Sequence, residues 1–330
     1  MILLTGDSGF IGSYLSSALL VQGCGVRGID ILPKTHVHYD QTIDSILNEN
    51  VLLKTMQDID CIIHLAAEHK DFGVPQENFY RVNVEGTKAL LNSASQFNVK
   101  KFILFSSVAV YGNQDYPSED AQPSPTSHYG KSKLEAEKLV CQWAQEHSAR
   151  QAVILRPTVV FGPNNRANIF KLVQYVCDGK FIWVGKGNNI KSIAYVENLV
   201  TATLHLLNAM KPGIEIYNYV DEPQITMSEL VSLIARKAGL PTPTISIPLS
   251  VALPTAKMFD ILGLLTHRDF AISTSRIKKF NTSTRFQAKK IRLTGFNAPF
   301  SIEEGIEKNV QWYKNEVQSA RESVYTSFEE

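Results

Sequence analysis

Tyr129 and Lys133 stand four residues apart in the run His128-Tyr129-Gly130-Lys131-Ser132-Lys133. On a helix that spacing puts both side chains on one face. A free tyrosine, with a pKa of about 10, is a poor base at neutral pH. A lysine ammonium one turn away stabilises the phenolate and brings that pKa toward the working range. The pair can then take a proton from a hydroxyl group. Ser107, directly after the apolar run KFILFS, can donate to or accept from the same oxygen. An amphipathic surface helix also carries Tyr and Lys at this spacing, so the pair needs a context.

The start of the chain supplies one. Residues 1–12 read MILLTGDSGFIG. Ile2, Leu3 and Leu4 suit a central parallel strand covered on both faces. Gly6, Gly9 and Gly12 follow at intervals of three, and Tyr14, Leu15, Ala18, Leu19 and Leu20 then repeat at helical spacing. A strand therefore turns through glycine into a helix. Gly6 permits the tight turn, Gly9 lets backbone N–H groups approach a pyrophosphate, and Gly12 lets helix and strand pack closely. The next apolar stretch, residues 25–31, carries Asp30 near its end. A carboxylate there accepts from both hydroxyls of an adenosine ribose and repels a 2′-phosphate. The expected cofactor is NAD rather than NADP, with Lys133 also able to bond the nicotinamide ribose.

The 330 residues suffice for about two domain-sized units. Lys and Arg number 33 against 32 Asp and Glu, with no basic stripe, so nucleic acid is not the expected partner. The first apolar residues run straight into the glycine turn, so no secretory signal is expected. No apolar run approaches the ~18 residues of a spanning helix. Cys24, Cys61, Cys141 and Cys177 lack C-x-x-C spacing and the histidines lack metal-ligand spacing. Free thiols, no metal and a cytoplasmic location are expected.

Taken in order, residues 42–46 read as a third short strand and 47–57 as a helix. Residues 60–67 read as a buried strand, 80–95 as a helix, 101–106 as a strand, 134–143 as a helix and 152–160 as a strand. This alternation predicts an α/β fold, a doubly wound parallel sheet over residues 1–160, with later strands returning from about 186–222. Beyond residue 160 the alternation becomes irregular, and 161–330 is expected to be mainly a smaller α/β substrate-binding lobe.

Thr5-Gly6-x-x-Gly9-x-x-Gly12, Ser106-Ser107 and Tyr129-x-x-x-Lys133, in that order, resemble the extended short-chain dehydrogenases/reductases, the NAD-dependent epimerase/dehydratase family. The resemblance runs from residue 1 to about 313 and implies a Rossmann fold. It implies cofactor contacts at Phe10 and Ile11, a second close approach to the cofactor at Ala66 and Ala67, and a buttressing role for Asn83. The family often carries an Asp before an apolar residue near the third strand; Ser45-Ile46 align there, so that adenine contact is expected to be missing. Dehydratases of the branch carry Asp-Glu after the catalytic hydroxyl residue, and sugar-acid decarboxylases a Glu. This chain has Val108-Ala109. Oxidation followed by re-reduction remains, as in an epimerase, or simple reduction.

For the substrate, the resemblance puts Lys191 where family members carry a diphosphate-binding Arg; the charge is kept without the bidentate fork. Arg276, Lys278 and Lys279 form a second basic cluster, either phosphate-binding or solvated. Thr284 stands where a bulky aromatic would exclude a C2 acetamido group, which favours N-acetylhexosamines. Val159 departs from a substrate-contacting Asn. Family members often dimerise through a four-helix contact, here residues 80–95 and 134–143 of each subunit.

Residues 245–272 are rich in Leu, Ile, Met and Phe, broken by Pro248 and Pro254, and accompanied by Lys257, His267 and Arg268. Met258, Ile261, Leu262 and Leu265 share a helical face. Core, a subunit contact, or a helix resting on a membrane would each explain them. Ala67-Glu68-His69, the Ser107–Gly112 run, Lys191 to Asn198 and Tyr217 to Asp221 are similar to 4-epimerases of N-acetylglucosaminyl-diphospho-undecaprenol in O-antigen assembly. That similarity implies interconversion of GlcNAc and GalNAc on a diphosphate carrier, with peripheral contact at the cytoplasmic face of the inner membrane. A soluble UDP-GlcNAc or UDP-glucose 4-epimerase and an NAD(P)H-dependent reductase are the alternatives.

Overall fold

One seven-stranded sheet is formed by β1 (Ile2–Thr5), β2 (Val26–Asp30), β3 (Asp40–Ile43), β4 (Cys61–His64), β5 (Lys101–Phe105), β6 (Gln151–Pro157) and β7 (Gly213–Tyr219), with its central strands drawn from short apolar runs. The spatial order is β7-β6-β5-β4-β1-β2-β3 and every pairing is parallel. The chain's order reverses at β1, which lies between β2 and β4. In open parallel sheets the crevice at such a reversal, outside the carboxyl ends of the strands, takes the ligand. The computed structural model describes residues 1–34, 37–69, 73–266 and 273–318.

Among the described residues five α-helices connect the first six strands: α1 (Phe10–Val21), α2 (Glu49–Thr55), α3 (Gln76–Tyr80), α4 (Gly86–Gln96) and α5 (His128–Gln145). Alternate strand residues Leu3, Ile62, Phe102 and Ile154 meet Leu52 of α2, Leu90 of α4 and Val140 and Trp143 of α5 in one buried cluster. The period of two sends their neighbours Leu4, Ile63, Ile103 and Val153, equally buried, to the other face. Each such side chain contributes roughly 2 kcal/mol when fully buried.

Two units divide the chain. The first holds Met1–Val160, Val196–Val220 and Phe286–Pro299; the second holds Phe161–Tyr195, Asp221–Arg285 and Phe300–Glu330. The return to the first unit therefore begins at Val196 rather than near 186, and Phe286–Pro299 forms a further return. β3 lies at 40–43, two residues before the expected place, because its sequence DQTI is a polar edge strand with no apolar run to read. The helix expected at 80–95 runs instead from α3 through a π-helical turn, Arg81–Glu85, into α4. The helix expected at 134–143 begins at His128 and so includes Tyr129 and Lys133.

The second unit is built on three amphipathic helices, Asn168–Cys177, Met227–Ala238 and Ile302–Trp312. Ile169, Val173, Leu230, Ile234, Ile306 and Val310 are among their buried residues. Thr226 with Glu229, and Ser301 with Glu304, form reciprocal capping boxes that fix two of the helix starts. A further helix, Leu249–Thr266, is followed by Thr274–Asn281. Among the described residues no helix is long and apolar enough to cross a membrane.

Candidate active site

Ser127 caps α5 by accepting a hydrogen bond from Gly130 N at 3.0 Å, which sets Tyr129 in the helix's first turn. A Cβ on Gly130 would lie 2.5 Å from Ala109 O. Glycine there lets α5 lie against the 3₁₀ turn Val108–Tyr111, which directly follows Ser107. Ser107 is extended and its hydroxyl accepts from Ala109 N at 3.2 Å. Tyr129 is half-buried, its ring edge-on to Phe79 at 6.3 Å. Lys133, one turn on, is only 3% exposed. Burial pushes its ammonium down to about 8, opposed by the charge of Glu137 one turn further along.

Glu137 belongs to a buried network that the sequence reading missed. Arg156 of β6 donates to both its carboxylate oxygens, at 2.8 and 2.6 Å, and Ser106 donates at 2.5 Å. Arg156 also donates to Tyr111 Oη (2.7 Å), which donates to Asn218 Oδ1 of β7 (2.8 Å). The face of α5 that carries Tyr129 and Lys133 is thus pinned to β6 by a two-pronged ion pair. Its signal was Glu137, one further turn beyond Lys133.

A second chain of hydrogen bonds starts at the glycine turn. Ala66 N donates to Thr5 Oγ1 (3.2 Å), Thr5 Oγ1 pairs with His64 Nδ1 (2.7 Å), and His64 Nε2 pairs with Thr87 Oγ1 (3.0 Å). Thr87 Oγ1 donates to Asn83 O at 2.6 Å, so Nε2 carries the proton and Nδ1 accepts from Thr5. Burial, helped by the charge of Lys133, pushes His64 down to about 3 and keeps it neutral. Asn83 lies in the π-helical turn. Its side chain accepts from Glu68 N (2.8 Å) and donates to Glu68 O (3.0 Å) and Ser132 Oγ (2.9 Å). Ser132 in turn donates to Tyr129 O at 2.9 Å. The structure therefore links Ala66, Asn83 and Tyr129 through fully paired buried groups.

The glycine turn fits a dinucleotide. Gly6 has φ +74°, and a Cβ there would lie 2.7 Å from Ala66 N; one on Gly12 would lie 2.1 Å from Gly6 O. Ala66 and Ala67 follow β4 and are partly open, Gly9 is exposed, and Phe10 and Ile11 begin α1. Asp30 ends β2, its carboxylate accepting from Ser8 N (3.1 Å) and Leu32 N (3.0 Å). Such a cradle admits a pyrophosphate against backbone N–H groups and a ribose against Asp30.

Three features here were not anticipated. Asp7, inside the turn, is fully buried. Its Oδ2 accepts from Tyr39 Oη and Gln41 Nε2, both at 2.7 Å, while Oδ1 has no partner among the described residues. Burial raises its pKa, with the Asp30 charge adding to the rise. Asp44, not Ser45, follows β3: its N–H bonds Asp30 O at 2.9 Å, and its carboxylate accepts from Ser45 N and Asn48. An aspartate is therefore present one place before the aligned position. Ile31, Leu32 and Ile43 are exposed apolar residues at the ends of β2 and β3.

Among the expected substrate residues, Lys191 and Thr284 are brought together in the second unit. They form a parallel bridge, with Ser192 N donating to Thr284 O (2.8 Å) and Thr284 N to Ile190 O (2.9 Å). Lys191 Nζ donates to Thr282 O at 2.6 Å. Arg276 lies in the first turn of Thr274–Asn281, capped by Ser273. The side chain of Lys279 and the residues His267, Arg268 and Ile272 lie outside the described set, as does the Leu265 side chain. Val159 is exposed and apolar. No metal-binding cluster occurs among the described residues.

The profile of the NAD dependent epimerase/dehydratase family matches residues 2–219. The chain belongs to this family. It is 36% identical over 314 residues, 94% of each chain, to N-acetyl-alpha-D-glucosaminyl-diphospho-ditrans,octacis-undecaprenol 4-epimerase of Escherichia coli O157:H7. It is 29% identical over 287 residues, 80% of this chain and 85% of the other, to UDP-glucose 4-epimerase of Vibrio cholerae. A solved structure of UDP-glucuronic acid 4-epimerase from Bacillus cereus with NAD superposes with a TM-score of 0.76 at 24% identity, over 95% of this chain and 98% of that one. For this NAD-dependent epimerase the seven-stranded sheet is the family's Rossmann fold, and the glycine turn with Asp30 fits its cofactor.

Proposed function

We propose that this epimerase interconverts GlcNAc and GalNAc by inversion at C4 while the sugar is linked through diphosphate to undecaprenol. The chemistry rests on one observation: a buried Lys133 one turn from Tyr129, on a helix start that packs against the Ser107 turn. The carrier reading is supported by the identity to the undecaprenol-linked relative along 94% of both chains.

Tyr129, as phenolate, takes the O4 proton and later returns it. Lys133 holds the phenolate by charge. Ser107 holds O4. The glycine turn with Asp30 would hold NAD, which would supply reversible hydride acceptance at C4, so that turnover would leave no net reduced cofactor. The 4-keto sugar must offer its other face between the two transfers, and an anchored diphosphate is the pivot. Lys191 and Arg276 are proposed to bind that diphosphate, with Lys279 as a further cation, and Thr284 to leave room for the acetamido group. Val108 and Ala109 offer no acid or base for removing water, which disfavours a dehydratase. We further propose a homodimer built on the helices around 80–95 and 134–143, to be read by sedimentation.

The deciding experiment offers GlcNAc-diphospho-undecaprenol in detergent and, separately, UDP-GlcNAc, with no added NADH. Conversion of the lipid-linked sugar alone supports the proposal. Conversion of UDP-GlcNAc makes this a nucleotide-sugar epimerase. Conversion of neither, with NADH consumed in a separate incubation with added NADH and a keto sugar, makes it a reductase.

A further inference from the structure

The helix Leu249–Thr266 is built the wrong way round for a core element. Its small residues Ala252 and Ala256 are buried, whereas Val251 (55% exposed), Met258 (54%), Ile261 (51%) and Leu262 (38%) face outward. At 100° per residue these four, with exposed Pro254, fall within an arc of about 100°. They form one continuous apolar stripe rather than scattered surface residues.

Among the described residues the charged side chain at the edge of the stripe is Lys257, whereas Asp260 falls about 100° away from that edge on the helix. The helix carries two charged residues, Lys257 and Asp260. Lys257 is exposed. Asp260 caps the next helix, its carboxylate accepting from Thr274 N at 3.2 Å. That next helix, Thr274–Asn281, packs alongside and holds Arg276, Lys278 and Lys279 without an acid. Lys278 is exposed.

We infer that this stripe docks on a lipid surface with anionic headgroups. The described side chains of the stripe amount to a few hundred Å² of apolar surface, an extent that shallow insertion at a headgroup boundary covers. An apolar stripe bordered by lysines suits the boundary between acyl chains and anionic headgroups, where shallow burial and basic charge act together. The inference extends the lipid-carrier reading, because a docked enzyme meets its substrate in two dimensions, but vesicles without sugar test it separately.

The test is flotation of the full chain with phosphatidylglycerol/phosphatidylethanolamine vesicles and with phosphatidylcholine vesicles. The wild type is expected to float with the anionic vesicles and to lose that association in high salt. Met258→Glu with Ile261→Glu should weaken it at least about tenfold, because two carboxylates then enter the headgroup region. Val21→Glu, at an apolar residue exposed elsewhere, should leave it unchanged. Retained NAD binding and melting temperature confirm that each variant is folded. A wild type that floats with neither vesicle, or a double variant that floats like the wild type, overturns the inference. So does a double variant whose sedimentation mass falls relative to the wild type, which assigns the stripe to a second copy. Each of these outcomes leaves the carrier assay standing on its own.

Discussion

The proposed role of Lys133 makes its protonation state visible in two measurements that move in opposite directions. Burial holds its pKa at about 8 in the folded chain, against 10.5 for the free side chain. Above pH 8 the ammonium is lost and with it the charge that makes Tyr129 a base. In kcat/KM, which reports the free enzyme, an alkaline limb should begin near pH 8 and steepen to about tenfold per pH unit. Stability behaves the other way. Between pH 8 and 10.5 the unfolded chain still binds the proton that the folded chain has lost, so this residue's contribution rises with pH. Over that window the gain is on the order of 3 kcal/mol, at 1.36 kcal/mol per pH unit. Lys133→Met removes both effects. The assay pairs epimerisation kinetics with urea unfolding of wild type and Lys133→Met, each from pH 7 to 10. The wild type should gain stability on Lys133→Met as its own activity falls. Activity flat to pH 10, or a stability gap that narrows with pH, would refute the assignment.

Three further outcomes are expected. Tyr129→Phe should retain NAD and lose about 10³-fold or more in turnover, with bound cofactor checked by absorbance after denaturation; residual activity within tenfold of wild type would remove Tyr129 as the base. Thr87→Val leaves the buried His64 Nε2–H unpaired and should cost about 2 kcal/mol, near 3 °C in melting temperature. Thr201→Val, which removes an exposed hydroxyl bonded to Glu197 O, should cost far less, and equal losses would contradict the His64 chain. The change in melting temperature on Asp7→Asn should be more favourable at pH 7 than at pH 4. The raised Asp7 pKa means its contribution is present at low pH and lost as pH rises through it, so a change that is more favourable at pH 4 would reverse the reading.

Much of the first unit was legible because its information is local. Buried strands of a parallel sheet are apolar runs, the glycine turn is three residues at fixed spacing, and Tyr129 and Lys133 are one helical turn apart. What escaped depends on contacts across the sequence. β3 is polar because it is an edge. The π-helical turn at 81–85 has helical periodicity on both sides and no residue that announces it. Asp7 reads as a loop polar residue until Tyr39 and Gln41 close over it. Asp44 directly follows the true strand end at Ile43 and so lies one place before the aligned Ser45. Phe286–Pro299 rejoins the first unit through pairings such as Asn218 Nδ2 with Gln287 O, 69 residues apart in sequence.

The connection between β6 and β7 also shapes how the chain can assemble. The two strands pair over seven residues, Gly213 opposite Gln151 to Tyr219 opposite Pro157. Roughly 55 residues lie between them, and closing such a loop costs about 3.5 kcal/mol in chain entropy by the logarithmic rule. During synthesis the first six strands leave the ribosome as a contiguous block, while β7 waits for the intervening segment. Until it arrives, β6 is an open edge, and Tyr111 lacks the Asn218 acceptor that completes its link to Arg156. The slow step of assembly should therefore be the addition of this last strand, and the nascent intermediate most exposed to misassociation is the six-stranded sheet that precedes it.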